Sequence, residues 1–147
     1  MLKDRIYQIN CIIFKRIGES PKDIRFLLLK RQPEKGGFWQ SITGGVYPKE
    51  DKIKALKREL QEEIGVKEIK KIIDTNYSFS FITDEGDTLH EYVFGIEIDP
   101  KQKISISKEH TKYKWVKLKE ALKLLKYESN IKGFKILYKI KKNEKRN

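Results

Sequence analysis

The segment between Pro48 and Gly65 constrains this chain more than any other, because its pattern predicts one short helix with two chemically different faces. Proline before a helix and glycine after it are typical end signals, so we expect the helix to run from about Glu50 to Ile64. At about 100° per residue, one sector of this helix is apolar and can pack on a sheet; it contains Ile53, Leu56, Leu60 and Ile64. A second sector carries three carboxylates at spacings i, i+3 and i+4, namely Glu59, Glu62 and Glu63.

These three glutamates form an acidic ridge, and like charges at such spacings repel one another. Hard divalent cations such as Mg2+ or Mn2+ bind carboxylate oxygens and, in phosphate chemistry, the phosphate oxygens of the substrate as well. The acidic ridge therefore predicts a metal platform, where a cation would neutralise a diphosphate and acidify a bound water. When the helix is considered alone, a solvated acidic face is the alternative interpretation.

The residues on both sides of the helix extend this pattern. Five residues separate Gly44 from Glu50, and seven more separate Glu50 from the run 58–66, Arg-Glu-Leu-Gln-Glu-Glu-Ile-Gly-Val. At these spacings the segment resembles the signature box of the Nudix hydrolases. The match includes both glycines, the arginine, all four glutamates, and the aliphatic residues at positions 60 and 66.

The loop between Gly44 and Glu50 departs from the commonest form of the box at two positions. Tyr47 stands where an acidic residue is frequent, and Lys49 stands where glycine is frequent. Neither is a metal-ligand position in the family, so the resemblance implies an altered loop shape rather than a lost site. Lys49 can add a phosphate contact there.

The resemblance implies a fold and a reaction for the whole chain. The fold is of the α/β class, a Nudix-type α/β/α sandwich with a mixed β-sheet and a loop-helix-loop catalytic motif, and we expect one domain over residues 1–147. The reaction is hydrolysis of a nucleoside diphosphate that is linked to some other group.

Residue roles in the family transfer to this chain by position. The first candidates for metal ligands are Glu59 and Glu63, followed by Glu62, while Glu50 is expected to contact a metal through water or to orient the loop. Arg58 is expected to belong to the catalytic machinery by pairing with a box glutamate and orienting it. Gly44 and Gly45 are expected to bind substrate by letting the backbone approach phosphate.

Two further segments resemble one group within the family. They are Phe38–Gly44, preceded by Lys30-Arg31-Gln32, and Glu109–Trp115, which a Ser-Asn-Ile sequence at 129–131 follows. Both resemble the bacterial dihydroneopterin triphosphate pyrophosphatases, which are also described as dATP pyrophosphohydrolases. The group's reaction releases pyrophosphate from a nucleoside or pterin triphosphate and leaves the monophosphate.

The same resemblance suggests substrate contacts and a catalytic base. Arg31, Trp39 and Gln40 are expected to bind substrate, since aromatic faces stack on planar heterocycles, although Trp39 is equally compatible with a place in the core. Glu109 is expected to serve as a further metal ligand or as the base, and Glu62 is the other candidate for the base.

Alternative functions remain open at this point. One is hydrolysis of diadenosine polyphosphates or sanitising of the nucleotide pool, and another is removal of the 5′ end group of capped RNA. A third, of another class, is a non-catalytic module that binds nucleotides or RNA. The net charge of +12 favours anionic partners, but the lysines are scattered along the chain. Nucleic acid is therefore not expected as the main ligand.

The remaining expectations concern location and assembly. No stretch of about 18 apolar residues predicts a membrane span, and the N-terminal residues lack the pattern of a secretory signal. Cys11, the single cysteine, lies in an apolar run and is expected in the core. We expect a cytoplasmic protein, a monomer or homodimer, with a frayed polar tail over about 141–147.

Hydrophobic patterning predicts the other secondary structure. The predicted strands are Ile6–Ile17, Ile24–Lys30, Phe38–Thr43, Ile69–Ile82, Glu91–Ile98 and Tyr113–Val116. The predicted helices besides the central one are Leu118–Leu125 and Ile131–Ile140.

Overall fold

Seven strands and three helices make up the part of the chain that the computed structural model describes, residues 6–144. The strands are β1 (Ile6–Arg16), β2 (Ile24–Arg31), β3 (Trp39–Gln40), β4 (Ile42–Gly45), β5 (Lys71–Ile82), β6 (Thr88–Glu97) and β7 (His110–Val116). The helices are α1 (Lys52–Ile64), α2 (Leu118–Leu124) and α3 (Glu128–Asn143). Short 3₁₀ helices span Pro21–Asp23 and Pro33–Lys35. Within residues 6–144, no helix is both long enough and apolar enough to cross a membrane.

The strands form one mixed sheet in the order β3-β2-β1-β6-β5. β1 runs parallel to β6, whereas the β1–β2 and β5–β6 pairs are antiparallel hairpins. Along one edge, β1 pairs with two strands: its residues 14–16 pair with β2, and its residues 8–11 pair with β4. This pairing places Gly44 and Gly45, at the end of β4, beside the middle of the sheet.

Helices cover both faces of the sheet, because side chains alternate along its strands. Cys11 and Ile13 of β1 pack with the apolar side of α1, whereas Ile12 and Phe14 pack with α2 and α3. Cys11 is fully buried, as predicted. The predicted α/β/α sandwich with a mixed sheet is confirmed.

The apolar sector of α1 differs from the prediction at one end. Leu56, Leu60 and Ile64 are fully buried, but Ile53 is 38% exposed and Ala55 takes its place against the sheet. Asp51 caps the helix, accepting a hydrogen bond from the Lys54 amide, so α1 begins at Lys52 rather than at Glu50.

Other boundaries shift for local reasons. Residues 38–43 form two short strands instead of one, with Ser41 between them, since β3 pairs with β2 and β4 pairs with β1. α3 begins at Glu128 and continues to Asn143, so the predicted fraying is wrong for residues 141–143. Lys141 is buried there, and its Nζ lies 2.7 Å from Glu144 Oε1 and 3.9 Å from Glu97 Oε1. Residues 145–147 of the predicted tail lie outside the described residues.

The Asp51 cap gives a test of the helix start. We expect Asp51→Ala to lower the free energy of unfolding by about 1 kcal/mol, because it removes the acceptor for the Lys54 amide. Urea denaturation of the two proteins measures this difference. Asp84→Ala, in the exposed turn between β5 and β6, is the matched control and should change stability little. An equal loss of unfolding free energy in both variants would show that the Asp51 cap does not stabilise the helix.

Candidate active site

Arg58 lies at the centre of the box and connects three of its parts. Its Nε and Nη2 donate to the two oxygens of Glu50 at 2.9 and 3.0 Å, and its Nη1 donates to Glu59 Oε2 at 2.7 Å. Nη2 also donates to the Gly45 carbonyl at 2.8 Å. The Tyr47 ring lies 4.0 Å from the guanidinium carbon. The expected pairing of Arg58 with box glutamates is thus present, and its forked geometry fixes both carboxylates.

Glu50 and Glu59, the two carboxylates that pair with Arg58, have pKa values shifted in opposite directions. The Arg58 hydrogen bonds, with one from the Tyr47 amide, lower the pKa of Glu50 to about 2. Burial instead raises the pKa of Glu59, against the opposing effect of Arg58. Glu59 is only 8% exposed, so it lies between α1 and the sheet rather than on a solvated face.

The observed position of the Glu59 side chain leaves no room for a side chain at position 44. A Cβ at position 44 would lie only 2.6 Å from Glu59 Cγ and would collide with the carboxyl group itself. Glu59 therefore fills the space on the Cβ side of Gly44, and the role of Gly44 in binding phosphate stays a prediction. A Cβ at Gly45 would meet no described atom within 4 Å, so close approach of a ligand remains feasible at that residue.

Glu63 is held by the loop that precedes β7. Ser107 Oγ donates to Glu63 Oε1 at 2.7 Å, and His110 Nδ1 lies 3.5 Å from the same oxygen. The His110 and Ser107 contacts lower the pKa of Glu63. The Ser107 amide also donates to the Glu63 carbonyl at 3.0 Å, which ties this loop to the end of α1.

A chain of polar contacts leads from β2 to Glu63 and assigns the tautomer of His110. Arg31 Nη1 donates to Gln40 Oε1 at 3.4 Å, so the Gln40 amide nitrogen faces His110 Nε2 at 3.1 Å and donates to it. A neutral His110 then carries its proton on Nδ1, toward Glu63. His110 is 7% exposed, so these hydrogen-bonding contacts lie in the interior of the protein.

The two candidates for the catalytic base are both exposed. Glu62 is 56% exposed at its side chain, with Oε1 3.6 Å from Arg58 Nη1. Glu109 is 54% exposed and pairs with Lys35 at 3.5 Å, while its amide donates to Ser107 Oγ. The loop that carries Glu109 is therefore joined to Glu63 through Ser107.

The acidic ridge offers oxygen donors in an open arrangement. Within residues 6–144, no three His, Cys, Asp or Glu side chains gather into a ready-made cage for one ion. Mg2+ does not need such a cage, since it usually keeps several waters and binds one or two carboxylates together with substrate phosphates. The donor chemistry of Glu59, Glu62 and Glu63 fits such an ion, and their assignment as metal ligands stays a prediction.

A cavity of about 420 Å³ lies on the α3 side of the sheet, beside the start of α3. Four aromatic side chains line it, namely Phe38, Phe79, Phe81 and Tyr127. Its size falls within the range usual for small-molecule sites. Thr43, which directly precedes Gly44, and Gln40, which contacts His110, also line it. Chain adjacency at Thr43–Gly44 and the Gln40–His110–Glu63 contacts therefore link residues of the cavity to residues of the box.

The predicted substrate contacts are only partly brought to this cavity. Arg31 and Gln40 line it, but Trp39 does not. Trp39 packs instead against the apolar cluster of α2 and α3, next to Leu125, which favours its alternative place in the core. The reason is alternation along an extended segment, which sends Phe38 and Gln40 to one side and Trp39 to the other.

Sequence reasoning missed one polar residue of the cavity, Glu91 of β6. It is 4% exposed and lines the same cavity as the four aromatic side chains. The available signal was a carboxylate directly before the uncharged run 92–96, where a buried charge needs a reason.

Comparison with known proteins agrees with this architecture. The family model of the NUDIX domain matches residues 7–137. An octanoyltransferase from Myxococcus xanthus is 32% identical over 114 residues, which cover 76% of this chain and 31% of that protein. This chain therefore spans less than a third of the length of that relative.

Two further relatives carry a narrower description. A dihydroneopterin triphosphate diphosphatase from Haemophilus influenzae is 29% identical over 123 residues, covering 76% of this chain and 77% of that protein. The solved structure of the Escherichia coli dihydroneopterin triphosphate pyrophosphohydrolase is 25% identical, with a TM-score of 0.72, covering 88% of this chain and 92% of that one. Together with the box geometry, the domain match shows that this chain belongs to the Nudix family and is a hydrolase of phosphoric anhydrides.

Proposed function

We propose that this chain is a metal-dependent pyrophosphohydrolase that converts a nucleoside or pterin triphosphate to the monophosphate and pyrophosphate. One observation carries the proposal, namely that residues lining an aromatic cavity are linked to the box, through the Thr43–Gly44 peptide and through the Gln40–His110–Glu63 contacts. A planar ring stacked in the cavity would leave its phosphate chain at the acidic ridge.

In this proposal Glu59 and Glu63 hold Mg2+ or Mn2+, with Glu62, Glu50 and Glu109 as further oxygen donors. When bound, such an ion supplies charge neutralisation of the phosphates and a more acidic water. The relatives from Haemophilus influenzae and Escherichia coli support the substrate class, since both are described as acting on dihydroneopterin triphosphate.

Side chains of the protein orient the carboxylates and accept the proton of the attacking water. Arg58 orients Glu50 and Glu59, and Ser107 holds one oxygen of Glu63. A water oxygen bonds to phosphorus, the anhydride P–O bond breaks, and pyrophosphate leaves with the bonding electrons. The proton of the water passes to Glu62 or Glu109, both of which are exposed to solvent.

A substrate panel with product analysis tests this function. We expect Mg2+-dependent release of pyrophosphate from dihydroneopterin triphosphate, dATP or 8-oxo-dGTP, with kcat/KM at least about tenfold above that for diadenosine tetraphosphate. Chelation of the metal should abolish the reaction. Release of orthophosphate instead, or a preference for diadenosine tetraphosphate or for 5′-triphosphate RNA, would contradict the proposal.

A further inference from the structure

Glu91 is a buried carboxyl group inside the cavity. It lies on β6 at 4% exposure, two positions before Val93, so it faces the side of the sheet that α3 covers. Among residues 6–144, no lysine, arginine or histidine forms an ion pair with it. A buried carboxylate without a cation is costly in its ionised form, so hydrogen-bond donors from a bound ligand would stabilise it.

Two neighbouring side chains fix the position of this carboxyl. Asn10 Nδ2 donates to Glu91 Oε2 at 2.7 Å, and Ser41 Oγ donates to Asn10 Oδ1 at 2.5 Å. The Asn10 bond is the one hydrogen bond to Glu91 within residues 6–144, so Oε1 keeps its accepting capacity. Burial raises the pKa of Glu91 to about 7, and donors from a ligand would favour its ionised form.

Arg31 gives the same cavity a donor. Arg31 lines the cavity, and its Nε is buried without a hydrogen-bond partner among residues 6–144. A ligand with one carbonyl oxygen and two adjacent N–H groups would match an unpaired donor and a fixed carboxylate. The aromatic side chains that line the same cavity favour a planar ligand.

We propose that the cavity selects rings with a 2-amino-4-oxopyrimidine edge, as in guanine and pterin, and that Glu91 accepts the ring N–H and the exocyclic amine of that edge. The inference rests on the proposed function and narrows its substrate class. Adenine presents a ring nitrogen lone pair next to its amine, so it offers the carboxylate one donor instead of two. Hypoxanthine keeps the ring N–H and the carbonyl but lacks the 2-amino group.

Binding of dGMP and dIMP to the wild-type protein and to Glu91→Gln tests the inference. The two ligands differ only in the 2-amino group, and titration calorimetry measures both affinities without needing turnover. We expect the wild-type protein to bind dGMP at least about tenfold more tightly than dIMP, and Glu91→Gln to reduce that ratio to about twofold or less. Glu68→Gln, the same substitution at an exposed glutamate that does not line the cavity, is the matched control and should keep the wild-type ratio.

The outcomes separate this inference from the proposed function. Equal affinities for dGMP and dIMP in the wild-type protein, or an unchanged ratio in Glu91→Gln, would overturn the role of Glu91 even if triphosphates are hydrolysed. A ratio that collapses in Glu91→Gln supports it even if no triphosphate is hydrolysed. Glutamine removes a buried charge and should fold; if it does not, Ser41→Ala should lower the ratio by loosening Asn10, and an unchanged ratio there would overturn the inference.

Discussion

Glu59→Gln and Glu63→Gln should each lower kcat by about 100-fold or more with Mg2+ and a triphosphate substrate. Each change keeps the shape of the side chain but removes a negative oxygen from the acidic ridge. Glutamine also fits beside Gly44 and next to Ser107, so the fold should remain intact. Initial-rate kinetics and thermal unfolding, measured on the same preparations, give the two readouts.

Glu68→Gln is the matched control for these two variants, because Glu68 is an exposed glutamate just beyond α1. It should retain wild-type turnover. Near-normal Mg2+-dependent turnover in Glu59→Gln or Glu63→Gln would contradict the assignment of that residue as a metal ligand. Loss of turnover together with loss of the folded state would instead indicate a structural role.

Arg58→Met should lower both stability and turnover. It leaves the buried Glu59 without its 2.7 Å partner and frees Glu50, so we expect a loss of about 2 kcal/mol in the free energy of unfolding. The position of Glu59 would no longer be fixed, and kcat should fall by about 10- to 100-fold. Urea denaturation and initial-rate kinetics measure the two effects.

Two companion variants separate charge from geometry at this position. Arg58→Lys keeps the charge but loses the forked guanidinium that contacts Glu50 and Glu59 together. Compared with Arg58→Met, it should therefore restore more of the lost stability than of the lost kcat. Lys57→Met, at the neighbouring exposed residue of α1, should change neither quantity. Full activity in Arg58→Met would contradict a role for Arg58 in catalysis.

The box was predictable from sequence because its parts are close together along the chain. Pro48, Gly65 and the apolar spacing indicated α1, and the glutamate spacing indicated the acidic ridge. The burial of Glu59 was not predictable, since it depends on the absence of a side chain at Gly44, across the α1–β4 contact. The long α3 was underestimated because Lys141 counts as polar in a pattern, although its neighbours Glu97 and Glu144 pair with it.

The cavity was not predictable in the same way. Its lining comes from distant parts of the chain, including Arg31, Phe79 and Tyr127, which only the sheet order brings together. Trp39 looked like the ring contact because its residue type suits stacking, but strand alternation directs Phe38 to the cavity instead. Glu91 lies in a strand whose two faces are both covered, so its sequence surroundings do not show which face it occupies.

We expect the acidic ridge and a triphosphate to bind a divalent ion together. Crystals soaked with Mn2+ and a non-hydrolysable triphosphate analogue test it directly through the anomalous signal of manganese. The expected result is a peak about 2 Å from carboxylate oxygens of Glu59 or Glu63 and from the phosphates. Bound triphosphate with no anomalous peak beside either glutamate would contradict the account.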